Sequence, residues 1–451
     1  MPRLLSTNLE AMKQHIHIDG FPSSFIDAFE VAVLLGIEYV WIDALCIIQN
    51  DSEDWKREAE KMGDVYRFGY CNLAAHAAAD RADVGLFLER NPRDIMVHTG
   101  TVARKEFIRK FFISMERRTD GISSSSLMRR GWVLQERLLS PRTVFFAERL
   151  QWGCSELQAC EKYPEGPPAI PSYSPWGADG TPLRINNLLF DEHRYQGRLK
   201  ILHMYRKWLV LARWYSACQL TYQQDFFPAL SRLAKYFQAA LKDIYVAGLW
   251  KGDLMHGLLW IHVGDGEPEN PLVEYIAPSW SWASVKGKVL FFIAEDPDSS
   301  KYDEVWVAEV IEIVLNTLSS DPMCRIENGK LTVSGHVRKS RPFFETFELY
   351  SSSCCRNWAD RRPPFDFIGL TGELFYFLLG YKYIFHKNGA REVKELYGLL
   401  LEATGQAENE YRRVGSFQHE WVHELQPETG EYPIFVDLDL MKLNTVTITI
   451  V

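Results

Sequence analysis

Three carboxylates stand where a protein could use them for chemistry: Asp43, Glu58 and Glu136. Glu136 lies in the stretch Gly131–Ser140, whose other residues are mostly large and apolar. A carboxylate in such surroundings has a raised pKa or a firm partner, which suits acid/base work or the binding of ribose hydroxyls. The alternative is structural, because an ion pair with one of the neighbouring arginines would simply fix a helix.

Asp43 and Glu58 also allow two interpretations each. Asp43 is the first charge after the apolar run Tyr39–Ile42, which predicts a strand covered on both faces. Ligands gather at the carboxyl ends of strands in open α/β sheets, so Asp43 is either a site residue or a cap for the next loop. Glu58 is expected with Asp54 on the flank of a helix, either on a solvated face beside Lys61 or looking back toward Asp43.

Short helices and strands are predicted to alternate around Asp43 and Glu58. The sequence predicts a helix over 21–35, the strand at 38–42, a helix over 52–67 and a strand over 70–76. This alternation with short connections predicts an α/β layer with parallel strands. The inward faces of the two helices should carry Phe25, Phe29, Ala32, Val33 and Leu35 in the first, and Trp55, Ala59, Met62 and Tyr66 in the second.

Further along, the sequence predicts a short helix over 131–140 and two short strands, Thr143–Phe146 and Leu150–Cys154. The composition then changes, because residues 161–195 are rich in proline, glycine and serine. Such a stretch is typical of a linker or an irregular arm. We therefore place a first domain at 1–160.

For the rest of the chain, 196–451, the sequence predicts an α+β domain. Its helical part has helices over 198–211 and 226–242, the second with an inward stripe of Ala229, Leu233, Phe237 and Leu241. From Glu304 onward, β-rich runs predict an antiparallel sheet that packs against these helices: Val305–Val314, Leu331–Val337, Leu396–Glu402, Ile434–Leu438 and Thr445–Val451. The aromatic stretch Pro278–Trp282 is either a platform for a sugar or peptide or, more commonly, buried packing.

Composition places the chain among ordinary globular proteins: 451 residues, 47% hydrophobic and 24% charged, enough for a full core in two or three domains. A net charge of −9 without a long basic run argues against a nucleic-acid binder. The eight cysteines lack the CxxC pairs of a zinc module and are typical of reduced, mostly buried intracellular thiols. Since neither a signal core nor a long apolar run occurs, we expect a cytoplasmic protein without a membrane span.

Cys46 is an alternative nucleophile near the end of the predicted strand. It would need a base, and His76 is the nearest downstream histidine, whereas an ordinary buried cysteine is the commoner use. No GxGxxG, GxxxxGKS/T, HExxH or GxSxG pattern occurs, which argues against phosphate-loop and metalloprotease functions.

Two long blocks of the sequence resemble the heterokaryon incompatibility (HET) domain of filamentous fungi. They are WIDALCIIQNDSEDWKREAEKMGDVYRFGYCNLAAHAA at 41–78 and RRGWVLQERLLSPRTVFFAERLQWGCSE at 129–156. Residues 21–30 resemble the helix that leads into the first block, and the tryptophan-rich part up to about 290 resembles the region that commonly follows this domain. The resemblance is more specific than a short pattern, because long aromatic and polar strings recur together and in order.

The HET family is similar, at a remote level, to TIR domains, whose α/β fold resembles flavodoxin and some of whose members cleave NAD with a single glutamate. The resemblance implies that Glu136 or Glu58 is that glutamate and that Asp43 lines the pocket. It also implies that NAD is a substrate, with no bound cofactor, and that residues of the two blocks hold it: Trp41, Gln49, Trp132, Gln135 and Arg137. Loss of nicotinamide leaves a cation-like ribosyl centre, which a carboxylate can stabilise.

HET domains usually begin with a strand that carries a Ser-Tyr-x-Trp-Gly type motif, and residues 1–20 contain none. We therefore expect a TIR/flavodoxin-like domain that is N-terminally incomplete and lacks its first strand. The resemblance implies an effector of fungal non-self recognition that promotes programmed cell death, with protein partners reached through self-assembly or a recognition protein.

Two further hypotheses are a non-enzymatic HET interaction module and a decayed paralogue with an intact fold. A closed polar cleft that contains Asp43 together with Glu58 or Glu136 would favour the enzyme. Carboxylates that point into solvent beside an exposed apolar patch would favour the interaction module.

Overall fold

The computed structural model describes residues 2–79, 81, 83–89, 98–104, 107–113, 122, 125–166, 196–263, 274–292, 302–318, 321, 323–339, 355–359, 373–385, 391–420 and 445–451. The chain divides into two compact units, Met1–Asp191 and Glu192–Val451, here called unit 1 and unit 2. Most of the predicted linker at 161–195 and the predicted strand Ile434–Leu438 lie outside the described residues. Among those described, no helix is both long and apolar enough to pass through a bilayer.

Three helices of unit 1 follow the predicted ones closely: α2 Ser23–Leu34, α4 Ser52–Phe68 and α5 Gly131–Leu139. Two short helices, α1 Leu9–Gln14 and α3 Asp43–Cys46, were not predicted. The inward stripe predicted for α2 is partly wrong, since Ala28 and Ala32 are buried whereas Val33 is 77% and Leu35 49% exposed. This helix carries apolar residues on more than one side, so their spacing alone does not identify the side that faces the core.

Helix α4 begins where the sequence predicts because Asp51 caps it. The carboxylate of Asp51 accepts hydrogen bonds from the backbone N–H groups of Glu53 and Asp54. Asp54 is buried, accepts a hydrogen bond from the backbone N–H of Ile48 at 2.8 Å and pairs with Arg57. A solvated position for Asp54 is therefore wrong, since this carboxylate ties the preceding loop to the helix.

The main sheet of unit 1 has four strands, in the order β1 Asn72–Ala74, β4 Arg142–Phe146, β5 Leu150–Cys154 and β6 Gln158–Cys160. Strands β1 and β4 run parallel, and the other neighbours run antiparallel. A separate antiparallel hairpin consists of β2 His98–Arg104 and β3 Phe107–Ile113. The mixed α/β arrangement is confirmed, while the TIR/flavodoxin-like topology stays a prediction.

Residues 38–42, predicted as a strand covered on both faces, do not form one. The backbone runs through this segment without a turn or bend, but no described strand pairs with it, and Tyr39 is 86% exposed. A β-rich run favours an extended backbone by itself, whereas a strand also needs a neighbour whose N–H and C=O groups pair with its own. The parallel pair expected between this segment and 70–76 is therefore absent from the described part of unit 1.

Unit 2 begins with two long helices, α6 Gly197–Ser216 and α7 Phe226–Leu241, followed by the short α8 Leu254–Leu258. Both predicted helices are confirmed, and α6 continues beyond its predicted end at 211. The inward stripe of α7 is also confirmed, because all four of its residues are buried: Ala229, Leu233, Phe237 and Leu241.

Among the described residues, the main sheet of unit 2 has eight strands, and the predicted antiparallel sheet is confirmed. Its described strands are β11 Tyr302–Trp306, β12 Glu309–Thr317, β13 Ile326–Lys339, β14 Cys355–Ala359, β15 Leu374–Phe385, β16 Arg391–Ala403, β17 Glu410–Glu420 and β18 Thr445–Ile450. Only the β17–β18 pair among them is parallel. The single strand predicted over Val305–Val314 is two strands, because the N–H groups of Val307 and Ala308 both donate to the Leu379 carbonyl and break the ladder.

The described part of unit 2 also has two small antiparallel sheets: the hairpin β7 Tyr245–Val246 with β8 Leu249–Trp250, and the pair β9 Trp260–His262 with β10 Val289–Phe291, whose strands lie far apart in sequence. The stretch Pro278–Trp282 is buried packing, since Trp280 and Trp282 are 0% exposed. The sheet joins this core through Ser416, whose hydroxyl donates to the Trp260 carbonyl at 2.8 Å.

Candidate active site

A cleft of about 370 Å³ lies in unit 1, with residues of α2, α4 and α5 in its lining. One wall is formed by segment 37–43 without Glu38, and another by the stretch 69–76, which contains β1. Strand β1 ends the described sheet on this side, so the cleft lies at a free sheet edge. Two of the three predicted carboxylates, Asp43 and Glu136, line the same cleft.

Glu136 places its carboxylate in this cleft from the middle of α5. Removal from bulk water raises the pKa of Glu136 to about 7. A hydrogen bond with Tyr66 and the positive charge of Arg130 act in the opposite direction, while the negative charge of Asp43 raises the pKa further. Near neutral pH the carboxyl is therefore divided between its protonated and ionised forms, which suits a group that exchanges a proton or faces a forming cation.

Tyr66 lies near the end of α4 and reaches the same carboxylate. Burial and the nearby charge of Glu136 raise the pKa of Tyr66 well above its ordinary value, so its hydroxyl stays protonated and donates to Glu136. The ring of Trp41 meets that of Tyr66 edge-on, with centroids 5.8 Å apart. Glu136 thus has an aromatic pair beside it, against which a flat heterocycle can pack.

Asp43 is the first residue of α3 and an exposed one. Its Oδ1 accepts a hydrogen bond from the backbone N–H of the next residue, Ala44, at 2.7 Å, but the cap position of this helix is held by Ile42 and no side chain caps it. Asp43 lines the cleft, and its negative charge raises the pKa of Glu136. Its role as a site residue stays a prediction.

Glu58 does not line the cleft. Its carboxylate is 3.1 Å from the Lys61 ammonium and 3.6 Å from Nε of Arg57, which is the arrangement of a paired helix flank. Cys46 is an exposed residue, contrary to the prediction of a buried cysteine. Partial removal of its sulfur from water and the charges of Asp43 and Glu58 raise the pKa of its thiol. A raised pKa lowers the thiolate fraction and argues against Cys46 as a nucleophile.

The five residues predicted to bind NAD separate into two groups. Trp41 and Arg137 line the cleft, and Nη1 of Arg137 lies 3.2 Å from the sulfur of Met128. The others lie outside the lining: Gln49 donates to the carbonyls of Asp43 and Ile47, Trp132 packs edge-on against Trp55, and Gln135 is buried.

Sequence reasoning did not assign three cleft residues to the site. Tyr66 was predicted only as an inward residue. A tyrosine hydroxyl on a buried face needs a hydrogen-bond partner, and this signal pointed to a polar neighbour. Arg130 was one of several arginines near Glu136. Thr143 was predicted only as part of a strand; it is 1% exposed, lines the cleft, and its hydroxyl has no hydrogen-bond partner among the described residues.

Comparison with known proteins identifies one family. Residues 3–136 match the sequence model of the family described as heterokaryon incompatibility protein (HET). The match ends at Glu136 and includes both Asp43 and Tyr66. Neither a curated protein nor a solved structure matches the chain.

Proposed function

We propose that this protein, whose residues 3–136 match the HET family model, is an effector of fungal non-self recognition that promotes programmed cell death by cleaving NAD. The observation that carries the enzymatic part is the carboxylate of Glu136, held in a cleft at a pKa of about 7 beside Tyr66 and Asp43. Of the two cleft carboxylates, Glu136 is withdrawn from bulk water whereas Asp43 is exposed, so the support for an enzyme comes from Glu136.

The proposed reaction breaks the bond between C1′ of the ribose and the nicotinamide nitrogen. The bonding electron pair leaves with nicotinamide, and the ribosyl carbon becomes cation-like. The ionised carboxylate of Glu136 stabilises this centre. A water molecule then adds to C1′ and loses a proton, so that NAD and water give nicotinamide, ADP-ribose and one proton.

The other cleft residues have roles that follow from their chemistry. Tyr66 orients the Glu136 carboxylate through its hydrogen bond, and with Trp41 it offers an aromatic surface to nicotinamide. Arg130 and Arg137 carry positive charge that suits the diphosphate of NAD. We propose that the protein acts in the cytoplasm and is triggered by self-assembly or by a recognition protein.

The test is nicotinamide release from NAD by the purified full chain, at low and high protein concentration. Glu136→Gln keeps the size and a hydrogen-bond acceptor but removes the charge, and we expect it to abolish release. Glu58→Gln is the matched control, because Glu58 lies outside the cleft, and it should leave release unchanged. Release that survives Glu136→Gln but is lost in Glu58→Gln would transfer the catalytic role to Glu58.

A non-enzymatic interaction module is the second candidate function. It is favoured by the large apolar side chains that are exposed in unit 1, among them Val33 at 77%, Leu34 at 81% and Phe68 at 75%. No nicotinamide release from a cooperatively folded protein at any concentration would favour this function.

A further inference from the structure

A single turn of helix, α3, carries Asp43 at the cleft. A helix of this length has little stability of its own, and no side chain caps its first turn. The Asp43 carboxylate accepts a hydrogen bond from the N–H of Ala44 in the same turn, and it forms no ion pair with a described residue. The position of Asp43 therefore depends on what holds the backbone of α3.

The side chain of Gln49 holds this backbone. Its amide nitrogen donates to the carbonyl of Asp43 at 3.1 Å and to that of Ile47 at 2.9 Å, so it links the first residue of α3 to the residue just after its end. Both partners are carbonyl oxygens, and only the NH₂ end of the amide can donate to them. Both amide hydrogens are used in this way, and neither is left to donate to a ligand.

Gln49 is itself fixed by the segment that precedes α1. Its backbone N–H donates to the Leu4 carbonyl at 2.9 Å, and the Leu4 N–H donates to the Ala44 carbonyl at 2.8 Å. The side chain of Asn50 pairs with Ser6 through two further hydrogen bonds, both of 2.9 Å. Gln49 therefore keeps a fixed place relative to α3.

The place of Asp43 matters to the site because its charge acts on Glu136. Both residues line the cleft, and the negative charge of Asp43 raises the pKa of Glu136. Tyr66 on α4 and Arg130 just before α5 act on the same carboxyl. The other charged or titratable side chains of the lining are Tyr39, Tyr70, Cys71, His76 and Arg137. Of all these groups only Asp43 belongs to α3, and because like charges repel, an Asp43 released from its place moves away from Glu136.

We propose that Gln49 is a positioning residue of the candidate active site, which holds α3 through the carbonyls of Asp43 and Ile47 and so fixes Asp43 relative to Glu136. This role rests on the proposed NAD cleavage, and it differs from the contact with NAD that the resemblance implies for Gln49. A residue that touches NAD affects how tightly NAD binds. A residue that acts through Asp43 affects the pH at which Glu136 ionises.

The test follows nicotinamide release from NAD by the full chain between pH 5 and pH 9. The midpoint of kcat/KM against pH reports the ionisation of Glu136 in the free protein. Asp43→Asn removes the negative charge and should move this midpoint to lower pH. Gln49→Met has a side chain of similar length without amide donors. It should move the midpoint in the same direction by a smaller amount, with the KM for NAD changed less than about twofold.

Gln14→Met is the matched control, since Gln14 is an exposed glutamine at the end of α1 whose side chain has no hydrogen bond with a described residue. It should leave the midpoint unchanged. In an Asp43→Asn background, Gln49→Met should produce no further shift, because residues that act through one another are not additive. Gln49→Asn keeps the amide on a side chain one methylene shorter, and it provides the same test if Gln49→Met does not fold.

A measurement without NAD separates this role from the proposed reaction. The stability that Glu136→Gln adds at pH 8 relative to pH 5 should be smaller in a Gln49→Met background than in the natural one, because a more distant Asp43 makes Glu136 easier to ionise. If no version releases nicotinamide but this difference appears, NAD cleavage is refuted and the hold of Gln49 on Asp43 stands.

Four results would overturn the proposal. They are an unshifted midpoint in Asp43→Asn, an unshifted midpoint in Gln49→Met beside a shifted one in Asp43→Asn, an equal shift by Gln49→Met with and without the charge of Asp43, and a KM for NAD raised severalfold at an unshifted midpoint. The last result would make Gln49 a residue that touches NAD.

Discussion

Replacing Glu136 with glutamine should stabilise unit 1 at pH 8 and change its stability little at pH 5. The folded protein holds the Glu136 carboxyl at a pKa of about 7, above the ordinary 4.5 that applies in the unfolded chain. The folded state therefore favours the protonated form. The stabilisation that the protonated Glu136 carboxyl contributes to the folded state is complete below pH 4.5, declines as the pH rises, and is lost once the pH has passed through about 7.

The size of the effect follows from the pKa shift. Each pKa unit corresponds to about 1.4 kcal/mol, so the shift from 4.5 to about 7 amounts to about 3.5 kcal/mol at most. Glutamine carries no charge at any of these pH values, and its amide oxygen can still accept the hydrogen bond from Tyr66. The variant therefore avoids the cost of holding a charge in the cleft near Asp43.

Urea unfolding of the full chain and the variant, followed by intrinsic fluorescence at pH 5 and pH 8, measures the difference directly. Glu58→Gln is the control, since it breaks only the helix-flank pairs with Lys61 and Arg57, each worth a few tenths of a kcal/mol at either pH. Equal differences at the two pH values, or a less stable Glu136→Gln protein at pH 8, would refute the burial of this charge and with it the basis of the proposed site.

Two further predictions concern unit 2. Burial lowers the pKa of His256, but hydrogen bonds at 2.7 Å to Asp253 and 2.9 Å to Glu304 more than offset this and raise it from 6.5 to about 9. The stabilisation contributed by protonated His256 should therefore be fully present below pH 6.5 and be lost as the pH rises through about 9. In urea unfolding, the free energy of unfolding of His256→Gln should show little of this decrease with pH. Gly248→Ala should destabilise unit 2 by about 1–3 kcal/mol, because φ is +89° and the new Cβ would lie 2.8 Å from Nε1 of Trp282. Gly405→Ala, with φ +69° and open space around it, should cost about 1 kcal/mol or less in the same assay, and an equal loss in both variants would contradict the packing argument.

The helices that the sequence predicted correctly are those whose signals are local. Helix α7 has one apolar stripe at helical spacing, and helix α4 has a capping residue, Asp51, just before it. Both signals act within a few residues of the chain. Each was therefore readable without knowledge of the rest of the fold.

The failures depended on contacts between distant residues. The apolar run Tyr39–Ile42 has the composition of a strand, but only a neighbour supplied from elsewhere can make it one. The hydrogen bond that links Tyr66 to Glu136 joins residues of two helices far apart in sequence, so the sequence could nominate Glu136 but not its donor. Glu58 and Glu136 were equally eligible by residue type, and only the fold separates the cleft carboxylate from the paired one.

The buried indoles of unit 2 have a spectroscopic consequence. Five tryptophans of unit 2 are 0–2% exposed: Trp208, Trp250, Trp260, Trp280 and Trp282. The tryptophans described in unit 1 are half-buried: Trp41, Trp55, Trp132 and Trp152. The emission of the five shielded indoles should be shifted to the blue and should persist when iodide quenches the more accessible ones. Blue-shifted emission that iodide does not quench therefore reports on the interior of unit 2, and its loss would show that this interior has opened.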